Sequence, residues 1–275
     1  MARWEVVHPA HPSRWAGVTM AGFRHHGPDP ADVHVIPHPS ITLALEFGSG
    51  PHVVDTDSGR QQQGNLVAGF MHDAIRVRGH AVECVQVRLS PVTAHAVLGI
   101  SPAELDDVVV PLDKLWGHDA TRAQEQISQA RSWQERFALT NTLLIRRLAA
   151  GREVDREVAW AWNRITSSRG RLRIDDLAHE LGWSRKRLWS RFRTQLGLPP
   201  KRAAKLVRFD HAVHRLAAGQ HAAGVAADTG YADQAHLHRD VLAFTGTTPA
   251  TMTSRVWLAV DEIAWTAHRT TNKPQ

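Results

Sequence analysis

Two groups of side chains in the C-terminal half have the chemistry of base-edge and phosphate recognition. Lys186, Arg187, Trp189, Ser190, Arg191 and Arg193 lie in one stretch, interrupted by Leu188 and Phe192. Gln234, His236, His238 and Arg239 lie in a second, interrupted by Leu237 and followed by Val241. Lysine and arginine donate to guanine or to phosphate, glutamine can pair bidentately with adenine, and an indole can meet thymine methyls or sugars. On a helix, Leu188 and Phe192 at i and i+4 form an apolar rear face, and so do Leu237 and Val241. The polar groups then lie elsewhere on the helix, as a reading helix needs. His236 and His238, at i and i+2, diverge on a helix, so surface hydrogen bonding is favoured over metal ligation. A single basic helix is by default a solvated face, and only its setting changes that reading.

The setting is a duplication. Leu177, Gly182 and Trp183 match Val225, Gly230 and Tyr231 at an offset of 48. After one inserted residue, Ser184, Leu188, Phe192 and Gly197 match Asp233, Leu237, Val241 and Gly246 at an offset of 49. Each copy has a short apolar helix, a glycine and an aromatic at a turn, a helix-capping residue and a second helix, which is the grammar of a helix-turn-helix. Ser184 and Asp233 are suited to cap the second helices. Asp175 and Asp176 open the first copy, as the helix dipole prefers. Pro199-Pro200 starts a long connecting helix to Ala218.

Charge separates the halves. Residues 1–150 hold 13 Lys/Arg and 15 Asp/Glu, whereas residues 151–275 hold 20 and 12, so the second half is net +8. A basic half joined to a near-neutral half suggests a polyanion-binding module attached to something else. No run of ~18 apolar residues predicts a membrane span, and the N-terminal residues do not resemble a signal peptide. A single cysteine, Cys84, leaves no internal disulfide framework and no Cys-based zinc cluster. These features favour a reduced, cytoplasmic protein.

The first ~90 residues read as short strands separated by turns: Arg3–His8, Ala16–His25, Ile41–Phe47, Val53–Val54, Leu66–Phe70, Ala74–Val77 and Ala81–Leu89. Ile41, Leu43, Leu45 and Phe47 alternate onto one face. This favours an all-β barrel or sandwich, which can enclose a ligand cavity. Pro91–Leu98 reads as a helix with proline at its first turn, ended by Gly99. Asp119–Ala130 and Trp133–Ala149 read as two more. The second is apolar on two sides and is therefore expected to be buried or shared with a partner chain. Gly151-Arg152 is the expected hinge. From Val154 to Gly246 the chain reads as helical with short breaks, and Thr270–Gln275 are expected to be disordered.

Histidines are numerous in the first half (His25, His26, His34, His38, His52, His72, His80, His95), but no His-x-His occurs there, so scattered histidines are favoured over a metal centre. Cys84 reads as a buried thiol, and Trp116 as packing. No G-x-S-x-G, P-loop or G-x-G-x-x-G motif appears.

The segment from Ile174 to Ala250 resembles the DNA-binding region of AraC/XylS-type transcription regulators. The resemblance is carried by Gly230-Tyr231-Ala232-Asp233-Gln234-Ala235-His236-Leu237-His238-Arg239-Asp240 and Thr245-Gly246-Thr247-Thr248-Pro249. Leu237 and Val241 depart from the aromatics usual there, as smaller fillers of the same packing role. Trp189 is unusual where polar side chains often meet bases. The resemblance implies seven helices, two helix-turn-helix units and a rigid connector, with both reading helices on one face of the duplex in successive major grooves about 34 Å apart. It implies Lys186, Trp189 and Ser190 as base readers in the first unit, and Gln234, His238 and Arg239 in the second. Arg187, Arg191, Arg193 and Arg239 could hold phosphates instead. It also implies an N-terminal sensing or dimerising domain, often β-barrel-like.

The expected architecture is therefore α+β. A β-rich, barrel-like domain with helices 119–150 at its end (residues 1–150) precedes an all-α domain with two helix-turn-helix units (152–255) and a tail of unread role (256–275). The expected function is sequence-specific binding of double-stranded promoter DNA, controlled by a small-molecule effector or by homodimerisation, with RNA polymerase as a candidate partner. No enzyme activity, cofactor, metal or membrane association is expected. The rivals are a small-molecule-binding or enzymatic β-barrel with a DNA-binding tail, and a basic protein-binding adaptor.

Overall fold

A computed structural model describes residues 4–48, 52–55, 61–254, 260–261 and 264–265. Its N-terminal half has strands β1 (Trp4–Val7), β2 (Val18–His25), β3 (Ala31–Val35), β4 (Ile41–Glu46), β5 (His52–Asp55), β6 (Gln61–Gln63), β7 (Leu66–Ala68), β8 (Ile75–Gly79), β9 (Glu83–Leu89) and β10 (Val109–Pro111). One antiparallel sheet has the order β1-β2-β9-β4-β7-β10 and the other β3-β8-β5-β6. Among the described residues these are two open sheets, not a single closed barrel. The fold class is α+β with a β-rich N-terminal region, as expected. Strands β3 and β6 were not read from the sequence. Gln61-Gln62-Gln63 has no apolar residue, so β6 does not announce itself by hydrophobicity, whereas on β3 exposed Asp32 and His34 alternate with Ala31, Val33 and Val35.

The larger sheet is covered on one side by α1 (Pro91–Leu98), a 3-10 turn (Pro102–Leu105), α2 (Asp113–Trp116), α3 (His118–Gln129) and α4 (Trp133–Ala150). Ser90 caps α1 by accepting the Thr93 N–H at 3.1 Å. On β4, Ile41, Leu43 and Leu45 lie in the main hydrophobic core, while Thr42 and Ala44 line a cavity with residues of the other sheet. The strand is thus covered on both faces. Its alternation marks two different interiors and not an inside and an outside. Trp116 is buried beneath the guanidinium of Arg147, 4.6 Å from the ring centre.

The C-terminal half contains α5 (Arg156–Ser167), α6 (Ile174–Glu180), α7 (Arg185–Leu196), α8 (Pro200–Ala217), α9 (Ala222–Thr229) and α10 (Gln234–Thr245), then a 3-10 turn at Pro249–Ser254. Six α-helices and that turn stand where the family resemblance implies seven helices. No helix of the described residues is long and apolar enough to cross a membrane.

The two halves share one hydrophobic core. The rings of Phe70, Trp162 and Phe192 run from the sheets through α5 to α7 at successive centroid separations of 6.5 Å. At Gly151, in the expected hinge, an added Cβ would lie 2.2 Å from the Ala96 carbonyl oxygen, so the backbone passes tightly against α1. Thr270–Gln275 lie outside the described residues.

Candidate DNA-binding interface

The two helix-turn-helix units are built by the same local physics. Gly182 (φ +63°) and Gly230 (φ +80°) take the left-handed conformation at the turn, where a side chain would be strained. Ser184 Oγ then accepts the Arg187 N–H at 3.2 Å, and Asp233 Oδ1 accepts the His236 N–H at 2.6 Å, so each second helix starts on a side-chain cap. Leu188 and Phe192 behind α7, and Leu237 and Val241 behind α10, are completely buried. The two residues that depart from the family's aromatics do fill the same packing position. Phe209 and Phe244, with ring centres 4.5 Å apart, join α8 to α10 beside them.

On α7, Lys186, Arg187, Trp189, Ser190, Arg191 and Arg193 are all exposed, but they do not form one uniform reading surface. Arg187 lies over the Trp183 ring, 4.5 Å from its centre. Arg191 pairs with Asp155, near the N-terminus of α5, at 3.4 Å. Arg193 lies over Trp189 at 5.2 Å, and the two share a crevice with Ser101, Ala103 and Asp106 of the N-terminal half. Lys186 and Ser190 stay clear of these arrangements. Trp189 is 48% exposed, yet it faces this crevice.

On α10, Gln234 and Arg239 are exposed. Gln234 Nε2 lies 3.5 Å from His238 Nε2, at the edge of hydrogen-bonding distance. His236 is turned edge-on against the Tyr231 ring at 5.0 Å, so it packs the turn of its unit and does not project with the readers. Buried Asp240 anchors this helix to α8 through Lys205 at 3.2 Å and Arg208 at 3.7 Å, and Arg208 also covers the Tyr231 ring at 4.5 Å. Burial, reinforced by the Asp240 charge, pushes the Tyr231 hydroxyl above its usual pKa.

Sequence reasoning passed over Arg169, Arg171 and Arg173, which are exposed ahead of α6. Arg171 runs against Gly230, where an added Cβ would lie 2.9 Å from its Cγ, so this arginine lies at the turn of the second unit. The alternation of three arginines was the available signal. Arg185, paired with Asp175 at 3.1 Å, was also missed.

The N-terminal half holds a separate cavity of about 90 Å³ between the two sheets. Its wall is mostly apolar, with Phe23, Val33, Leu66 and Cys84 among the lining residues. His38, Thr42 and Gln86 supply the polar part, and His38 Nε2 lies 3.0 Å from Thr42 Oγ1. Burial and the nearby Arg88 charge push the His38 pKa down to about 3, so the ring is neutral at neutral pH. Burial pushes the Cys84 thiol up to about 12, as expected for an inert thiol. Among the described residues no group of three or more His, Cys, Asp or Glu side chains could hold a metal ion.

A short apolar helix, a glycine-aromatic turn and a capped second helix, built twice and joined by α8, define a double helix-turn-helix DNA-binding domain. Residues 177–255 match the family model of a helix-turn-helix domain. No protein of curated function matches the sequence. Solved structures with a similar course of chain include ToxT from Vibrio cholerae, at 10% identity over 87% of this chain and 99% of that one, with a TM-score of 0.49. ToxT from Vibrio cholerae with an unsaturated fatty acid bound gives 8%, 88%, 98% and 0.48 in the same order. The AraC-like transcriptional activator CuxR gives 16%, 71%, 82% and 0.24.

Proposed function

We propose that the chain is a cytoplasmic transcription regulator, without enzyme activity, that binds promoter DNA through α7 and α10. The observation that carries this reading is the pair of capped helices, each with a buried apolar back and an exposed polar front. Lys186 and Ser190 are the base readers of the first unit, and Gln234, His238 and Arg239 those of the second. Arg187 and Arg193 serve the phosphates. Trp189 is a weaker candidate for base contact, because it shares a crevice with the N-terminal half. The decisive experiment is selection of duplexes by the full chain from a random pool, followed by fluorescence anisotropy on the enriched sequence. Enrichment of a motif with two half-sites one helical turn apart supports the reading. Recovery of unselected sequence at uniform affinity would demote the chain to a nonspecific polyanion binder or an adaptor.

The N-terminal cavity supports control by a compact, mostly apolar effector. Gln86 Oε1 is buried and has no hydrogen-bond partner, so a ligand carrying one donor would meet an unmet acceptor. That ToxT has been solved with a fatty acid bound makes an apolar effector a natural first class to screen. Homodimerisation through α4 is the second mode of control, supported by Ile145, which is 39% exposed on that helix. RNA polymerase is the candidate partner once promoter DNA is bound.

A further inference from the structure

One buried ionic cluster ties the DNA-binding half to the N-terminal sheets, and it is centred on a residue beyond the helix-turn-helix domain. Asp261 accepts a hydrogen bond from Arg88 of β9 and lies 3.3 Å from His214 Nε2 of α8. His214 also lies 3.7 Å from Asp210. Arg88, His214 and Asp261 are all buried. Trp265 lies over the Arg88 guanidinium, 4.4 Å from the ring centre, and 6.3 Å from the Phe23 ring. Val260, Ala264 and Trp265 pack into one cluster with Ala21, Phe23, Val33 and Cys84.

This cluster touches both functional parts. Phe23, Val33 and Cys84 line the cavity, so Trp265 packs on the cavity wall. His214 is in the last turn of α8, the helix that connects the two reading units. The first unit is fastened to the same half at another point. Ser101 Oγ donates to the Thr194 carbonyl at 2.5 Å, and Arg202 pairs with Asp106 at 3.0 Å. The DNA-binding half is therefore clamped to the N-terminal half at α7 and at both ends of the connecting helix α8. In this arrangement Asp106, paired with Arg202, shares a crevice with Trp189 and Arg193 of the reading helix.

Resting on the DNA-binding reading, we propose that Asp261 and Trp265 form a latch that holds the DNA-binding half in a resting arrangement, and that its release raises DNA affinity. A ligand pressing on Phe23 from within the cavity would act on Trp265 and hence on the latch, a bias between two arrangements.

The test uses the full chain with Asp261→Ala and, separately, Trp265→Ala, which opens the latch without leaving Arg88 and His214 short of a carboxylate. Amide hydrogen exchange in residues 210–217 and anisotropy titrations with a selected duplex are the two readouts. Both variants should lose protection there. If about one molecule in ten is open in the parent, release lowers the apparent Kd about tenfold. Unchanged protection in both variants overturns the latch. Increased exchange with unchanged or weaker DNA binding overturns its inhibitory role. Failure of every form to bind any duplex sinks the DNA-binding reading and the inhibitory role with it, while the exchange data still decide whether the halves are fastened.

Discussion

Arg239 and Arg191 have the same side chain and opposite prospects. Arg191 is occupied by Asp155, whereas Arg239 is exposed on α10 and forms no ion pair with the described residues. The sequence made both candidates, because spacing on a helix tells which face a residue shares but not what the rest of the fold sets opposite it. Arg239→Ala is expected to weaken binding to the selected site by roughly tenfold or more, the cost of losing a bidentate base contact, and to change binding to random duplex far less. Equal losses on the two DNAs would make Arg239 a phosphate contact. Arg193→Ala is expected to flatten the slope of log affinity against log salt by about 0.9, the mark of one lost phosphate contact; an unchanged slope would sink that assignment. His236 shows the limit of the same reasoning from the other side. It is a DNA-binding candidate in the same stretch as Gln234, His238 and Arg239, yet its ring closes the turn against Tyr231.

Helices α8 and α10 form a joint whose strength rests on one carboxylate. Asp240 is buried between Lys205 and Arg208, and the phenyl rings of Phe209 and Phe244 meet beside it. Replacing Asp240 with alanine leaves the partly buried Arg208 without its counter-charge. We expect the second unit to be destabilised by roughly 3 kcal/mol, the lower end for breaking a buried pair, measured as a lower urea midpoint. A midpoint within error of the parent would show that solvent compensates both cations. The duplicated frame placed α6, α7, α9 and α10 with little error, since glycine, cap and apolar back recur at fixed spacing and act locally. Strand β6 escaped notice because its three glutamines carry no apolar alternation, whereas β3 does alternate, Ala31, Val33 and Val35 with Asp32 and His34, and was legible from the sequence.

Across the whole molecule, one core spans both halves, so acid should act on the fold as a unit. Free histidine titrates near 6.5, but folded His38 resists protonation until about pH 3. Between these values the unfolded chain binds more protons, so stability falls as pH drops through that window. His211, pushed down to about 4 by burial and the Arg169 charge, acts in the same direction. Burial works against the charge on Asp261, yet Arg88 and His214 hold its carboxyl well below the usual carboxylate range. It too costs stability as pH falls below the unfolded value. The urea midpoint should therefore be highest near neutrality and lower at pH 4.5. An unchanged midpoint between pH 7 and 4.5 would mean that His38 and His211 titrate normally.

Sequence alone was sufficient for the α+β class, the two helix-turn-helix units, their caps and their buried backs. Each depends on interactions within a few residues, which leave a periodic mark. It was also sufficient to nominate the reading side chains. Tertiary structure decided which of them remain available, because Asp155, Asp106 and Tyr231 lie far from the residues they engage or face, or on another element. It also decided that the two strand faces of β4 look into different interiors, one a packed core and one a cavity. The junction of Arg88, His214 and Asp261 brings together three distant parts of the chain. No local pattern encodes such a meeting; it exists only once the sheets, α8 and the residues around Asp261 are packed together.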